Sequence, residues 1–245
     1  MIALFPWLVP TYHKIIQAFD EALGHHALLI RADDGLGAEQ LCSALAKRLM
    51  CLTPNEADAC GECHACHLMQ ANSHPDFQLI SQATQHAQQN GNKVIYIEQA
   101  HRLTEAAANA ILKTLEEPRP NTYFILQCDM QKALLPTIYS RCQVWNLLPP
   151  DTETALQWLQ SQTSAETSDI LTALRVNYGR PLLALAMLEQ NLLSQRREFL
   201  RQFWLFYRRC SPLELLPFFT KELVLQQLDW LSAFLSDSLK NKLHI

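Results

Sequence analysis

The sequence predicts an α/β fold for residues 1–148, a parallel sheet with helices on both faces, followed by segments that are helical throughout. Three observations carry this. Short apolar runs alternate with stretches of helical spacing as far as Trp145. Strand-like runs stop at Pro149-Pro150. The composition, 49% hydrophobic and 18% charged over 245 residues, suffices to bury a substantial core.

Each element follows from local pattern. Residues 12–23 place Ile15, Ile16, Phe19 and Leu23 at helical spacing. Residues 26–30 are a continuous apolar run, as a strand buried on both faces should be. Asp33-Asp34-Gly35-Leu36-Gly37 is a turn, and 39–50 a helix with Leu41, Leu45 and Leu49 on one face. Residues 77–80 and 94–97 are the next strands. Only 81–92 connect them, near the minimum for a parallel crossover, so a short helix ending at Gly91 is expected there. Thr104 is the N-cap of a helix that runs to Glu117 and stops at Pro118. Residues 123–126 and 143–145 complete the sheet. Then come helices over 151–162, 168–176 and 180–189, with Gly179 as a break, and a helical remainder interrupted by Pro212 and Pro217. Domains are expected at 1–148, 149–189 and 190–245.

A formal charge of −4 gives no overall attraction for nucleic acid or anionic lipid. No run reaches the apolar length of a membrane span, and the opening MIALFPWLVP is too short and uncharged for a signal peptide. A soluble cytoplasmic protein without a membrane partner is expected.

The eight cysteines are unevenly placed. Cys51, Cys60, Cys63 and Cys66 have the spacing C-x8-C-x2-C-x2-C, whereas Cys42, Cys128, Cys142 and Cys210 are isolated. A chain of this size without a secretion signal does not need disulfide staples. Two overlapping CxxC turns and a fourth cysteine can surround one cation, which describes structural zinc in a module at about 51–67. A redox CxxC pair is the competing assignment. His64 and His67 are bystanders, although either could replace a cysteine.

Residues 31–39 have the context of a phosphate loop, strand then glycine turn then helix, but not its chemistry. Gly35 and Gly37 remain. Ala32 stands for the first glycine, Ala38 for the lysine, and Glu39 for the hydroxyl residue that would ligate magnesium. Asp33, Asp34 and Glu39 put carboxylates where a triphosphate would lie. Each close like-charge pair costs on the order of 1 kcal/mol in water and about 4 kcal/mol at a partly shielded site. No bound ATP is expected. Taken alone, these residues also fit an ordinary glycine turn.

Together the motifs resemble the delta-prime family of bacterial DNA polymerase III clamp-loader subunits, within the AAA+ class. The resemblance runs from Pro6-Trp7 to about Leu188 through Gly24-His-His-Ala-Leu-Leu-Ile30, the cysteine quartet, Ser73-His-Pro-Asp76, Ala106-Ala-Ala-Asn-Ala-Ile-Leu-Lys-Thr-Leu-Glu-Glu-Pro118 and Leu135-Pro-Thr-Ile-Tyr-Ser-Arg-Cys142. It implies an AAA+-like α/β domain with an inserted zinc module, a small helical lid domain at 149–189 and a shortened collar-like segment at 190–245. It also implies a non-catalytic subunit that helps load the sliding clamp on primed DNA, with gamma/tau ATPase subunits and delta as partners. Such a subunit has no ATPase or polymerase activity of its own but is part of a DNA-directed DNA polymerase holoenzyme.

The other nucleotide positions agree with that resemblance. Glu98-Gln99 stands where ATPase members place an acidic pair, Cys128 where they place a sensing threonine or asparagine, and Leu182 where they place a sensor arginine. Arg141 matches the family's arginine finger, which acts in trans on a neighbour's phosphate. Glu116 and Glu117 at a helix C-terminus oppose the helix dipole, a mismatch expected of residues kept for a role in the assembly.

The C-terminal part is rich in aromatics: Phe199, Phe203, Trp204, Phe206, Phe218, Phe219, Trp230 and Phe234 form either a small core or an exposed patch. Arg196, Arg197, Arg201, Arg208 and Arg209 read as a solvated face, with weak DNA contact as the sharper alternative. The competing functions are an active AAA+ ATPase or nucleotide switch, and a stand-alone zinc-containing DNA-binding protein.

Overall fold

Strand β1 (Ala27–Ala32) is interior to the sheet, paired on one side with β4 (Thr122–Cys128) and on the other with β5 (Gln143–Leu147). Beyond β4 lie β3 (Lys93–Ile97) and then β2 (Phe77–Ile80), so the order is β2-β3-β4-β1-β5 and every pairing is parallel. The computed structural model describes residues 4–80, 92–209, 219, 221 and 223–243. Two compact units are formed, Met1–Pro149 and Pro150–Ile245.

The apolar run in β1 is continuous because helices cover both of its faces. Leu28 and Ile30 point into a core with Leu8, Tyr12, Ile15 and Ile16, and with Leu41 and Leu45. These come from α1 (Val9–Asp20), its N-cap and α2 (Ala38–Met50). Ala27 and Leu29 point the other way, against Ala108, Leu115 and Ile138 of α4 (Glu105–Glu116) and α5 (Pro136–Tyr139). Alternate residues of a strand face opposite sides, so one hexapeptide feeds two cores. The hydroxyl of Thr104 accepts the Ala107 amide at 3.2 Å, as its N-cap assignment requires.

Several boundaries differ from the sequence pattern. Helix α1 ends at Asp20, and Ala22 turns left-handed with φ 57°, so Leu23 leaves the packed face and is 72% exposed. Apolar spacing alone could not mark that end. Strands β4 and β5 run past their apolar segments because ladder hydrogen bonds continue through Gln127, Cys128 and Leu147. Two short helices were not anticipated: α3 (His64–Gln70), hidden within the cysteine motif, and α5, which starts at a proline. The expected helix before Gly91 falls outside the described residues, as do Cys210, Pro212, Pro217 and Phe218.

In the second unit α6 (Thr152–Gln162), α7 (Thr167–Val176), α8 (Pro181–Glu189), α9 (Leu192–Arg209) and α10 (Val224–Leu243) follow in turn. Asp151 caps α6 through the Thr154 amide at 2.8 Å, and that bond lowers its carboxyl pKa. Leu159, Ile170, Leu174, Met187, Phe199 and Trp230 share one core. Phe199 packs on Phe219 and Trp230, and Phe203 on Phe234, so these aromatics form internal contacts while Trp204 is half exposed. Arg197 pairs with Asp169 and Arg201 lies 3.6 Å from Glu198, as on a solvated face. Among the described residues no helix is long and apolar enough to cross a membrane.

Gly24 offers a direct test of the packing beneath β1. A Cβ built there would sit 2.2 Å from the Phe19 ring, which is held edge-on against Tyr123. Gly24→Ala should lower stability by about 1–3 kcal/mol in urea unfolding, through overpacking, without changing the fold.

Candidate functional site

Strand β1 delivers the chain into the loop at its C-terminal end. Gly35 and Gly37 adopt left-handed φ values of 86° and 80°, and Gly37 forms the N-cap of α2. The turn therefore needs its glycines even though the phosphate-binding residues are absent. The Trp7 indole donates to the Leu36 carbonyl at 2.8 Å, and the Phe5 amide to Gln40 Oε1 at 2.8 Å, bracing the loop from the N-terminal segment. Glu39, in the first turn of α2, accepts from Gln127 Nε2 at 2.7 Å, and Gln127 Oε1 in turn accepts from the Tyr96 hydroxyl. Asp33 Oδ1 is enclosed with no hydrogen-bond partner. Arg31, near the end of β1, donates to the Met130 carbonyl at 2.6 Å and lies over the Tyr139 ring. The loop thus presents carboxylates, braced by neutral side chains, without the lysine that phosphate chemistry uses.

The other residues that the resemblance aligns with nucleotide motifs are placed as follows. Cys128, at the end of β4, is 1% exposed, and burial raises its thiol pKa. Gln99 turns left-handed immediately after Glu98. In the second unit, Tyr178 and Gly179 both turn left-handed before α8, whose second residue is Leu182.

Arg141 lies at the other end of the sheet. It precedes β5, whose first residue, Gln143, pairs with Leu28 of β1. Asp33 is five residues beyond Leu28, so about 16 Å of strand axis separates that pairing from the start of the loop, at roughly 3.3 Å per residue. The guanidinium is one-third exposed. Its Nε donates to Glu116 Oε1 at 2.7 Å, its Nη2 contacts the same oxygen, and its Nη1 donates to the Thr137 carbonyl at 2.8 Å. Glu116 is the last residue of α4, so a carboxylate that the helix dipole disfavours gains a cation. Glu117 is exposed, and nothing in the structure explains it.

The four clustered cysteines converge. Their sulfur atoms all lie within 4.8 Å of one another, with Cys51 Sγ 3.5 Å from Cys60 and 3.9 Å from Cys63, and Cys60 3.9 Å from Cys66. Disulfides need about 2.05 Å. Four thiolates around one divalent ion, with metal–sulfur bonds of about 2.3 Å, would stand about 3.8 Å apart. The amides of Cys60, Cys63 and Cys66 point at sulfur, as thiolates favour. Burial raises the Cys51 and Cys66 thiols, the latter to about 12, whereas Cys60 is lowered to about 6, first by the Thr53 hydroxyl and then by the amides of Glu62 and Cys63. Together these cysteines could hold a metal ion. His64 and His67 sit on exposed positions of α3.

Sequence reasoning placed Arg141, the loop and the quartet but missed Glu116 as the arginine's partner, Gln127 and Tyr96 as the brace of Glu39, and Thr53 beside Cys60. No local signal marks these contacts, since the partners of Arg141 and Glu39 lie 25 and 88 residues away.

A five-stranded parallel sheet in this order, a glycine loop after β1 and a helical second unit define an AAA+-like chain. Residues 150–189 match the family model "DNA polymerase III subunit delta', AAA+ ATPase lid domain". Residues 10–151 match "DNA polymerase III, delta subunit", and 190–245 match "DNA polymerase III, delta subunit, C terminal". The DNA polymerase III subunit delta' of Haemophilus influenzae is 59% identical over 262 residues, covering 100% of this chain and 80% of that protein. Those of Yersinia pestis and Escherichia coli are 39% and 34% identical, each covering 96% of this chain and 76% of the relative. The chain belongs to the delta-prime family of DNA polymerase III subunits.

The cysteine geometry gives a test independent of activity. Reduced, metal-stripped protein should take up one Co²⁺ per chain with the intense thiolate-to-cobalt absorption of a tetrahedral site, and lose it as pH falls and the sulfurs are protonated. Cys63→Ser should weaken uptake by at least tenfold; an unchanged titration would remove Cys63 from the ligand set.

Proposed function

We propose that this chain works as the delta-prime subunit of a DNA polymerase III clamp loader, without ATP turnover of its own. It would scaffold gamma/tau ATPase subunits and delta in the cytoplasm while the complex loads the sliding clamp on primed DNA. The division at 1–148, 149–189 and 190–245 is proposed with it, as is structural zinc on Cys51, Cys60, Cys63 and Cys66.

The observation that carries this assignment is the opposed placement of loop and arginine. A triphosphate at Gly35–Glu39 would meet Asp33, Asp34 and Glu39, and a lysine to offset them is missing. Arg141 belongs to the far end of β5, where it cannot serve that loop but is accessible to another chain. Its guanidinium is permanently charged and suited to phosphate oxygens. Presented to a neighbouring subunit's ATP, it would stabilise charge developing on the transferred phosphoryl group. Fingers of this kind contribute roughly 10³–10⁵ in rate in GTPases.

Arg141→Ala should leave the isolated chain folded, with an unchanged circular dichroism melt, but slow ATP hydrolysis of the complex reconstituted with its ATPase subunits by at least tenfold at the site it faces. Unchanged turnover would remove the finger. Separately, titration of the isolated chain with a fluorescent ATP analogue and magnesium should show no saturable binding at micromolar nucleotide, whereas saturation would favour the nucleotide-switch alternative.

A further inference from the structure

Arg141 does not project freely. A guanidinium has five N–H bonds, and their distribution here is specific. Nε and Nη2, which point along one side of the fork, converge on the single oxygen Glu116 Oε1. Nη1 donates to the Thr137 carbonyl at 2.8 Å and makes a longer contact of 3.3 Å with Ser140 Oγ. Nη1 therefore has acceptors within the chain, and the second N–H of Nη2 is the one least committed to the chain itself.

The elements that supply these partners are rigid. Glu116 ends α4, whose Leu115 is 2% exposed in the core and whose Leu115 carbonyl is held 2.8 Å from His26 Nε2. Thr137 belongs to α5, anchored by the fully buried Ile138. Two buried anchors therefore fix the acceptors, and the acceptors fix the arginine. A free arginine side chain would lose rotamer entropy on engaging a phosphate, and an arginine already held loses less.

We infer that Glu116 is a positioning residue for Arg141, holding the side edge of the guanidinium so that the remaining N–H of Nη2 is presented, already ordered, to a phosphate on another chain. This rests on the assignment of Arg141 as a finger in trans. Glu116 touches neither nucleotide nor reacting atoms and acts only through the arginine. A structural role alone fits less well, because the Glu116 side chain is half exposed and the Arg141 side chain one-third exposed, and ion pairs of that exposure add little to stability.

The test uses the reconstituted complex and reads ATP turnover under saturating clamp and primed DNA. Glu116→Ala should lower kcat roughly tenfold to hundredfold, as misplacement of a catalytic group does, while KM for ATP stays within about twofold. Glu116→Gln, which keeps an acceptor oxygen at the same reach, should recover most of the rate. Adding Glu116→Ala to Arg141→Ala should slow the complex no further, and neither Glu116 variant should shift the melting temperature by more than a few degrees. An unchanged or faster Glu116→Ala complex would overturn the inference, as would an equal loss in the Arg141→Ala background. If Arg141→Ala itself had no effect, the finger assignment would fail first; a slow Arg141→Ala beside a normal Glu116→Ala would reject the positioning role alone.

Discussion

The parallel pairing of β1 between β4 and β5 is the constraint on which everything else depends. Parallel strands share one direction, so a loop that follows β1 and a turn that precedes β5 must lie at opposite ends of the strands. The acidic loop and the arginine are separated by that rule rather than by any feature of their own side chains. The same register buries β1 on both faces and gives the sheet two cores.

The loop after β1 is fixed by its backbone conformation and by hydrogen bonds of its own side chains. Gly35 and Gly37 are required because the turn passes through left-handed conformations. Its side chains bond internally: Glu39 to Gln127, and Gln127 to Tyr96. Burial raises the pKa of Tyr96 well above that of a free phenol, so it stays a neutral donor to Gln127.

Much of this was legible in the sequence because it is local. The N-cap at Thr104, the cysteine spacing, the apolar run of β1 and the breaks at Pro118 and Gly179 each depend on a few neighbouring residues. What was not legible depends on chain topology. Glu116 looked misplaced on its helix until the fold brought Arg141 alongside, and Leu23 looked like a core residue until Ala22 turned the chain away. Helix α3 was obscured by its own motif, since two cysteines and two histidines drew attention to ligation rather than to helical spacing.

The cysteine module is not an appendage. The Tyr12 hydroxyl donates to the Ala57 carbonyl at 2.8 Å, and Arg48 reaches from α2 to the Glu56 carbonyl at 3.0 Å and to Asp20 of α1 at 2.8 Å. The wall of the cysteine cluster is therefore shared with the helical layer over the sheet. Loosening the cluster would release restraints on both helices, so thermal melting of this unit should be cooperative, with no early, separate transition for the insert.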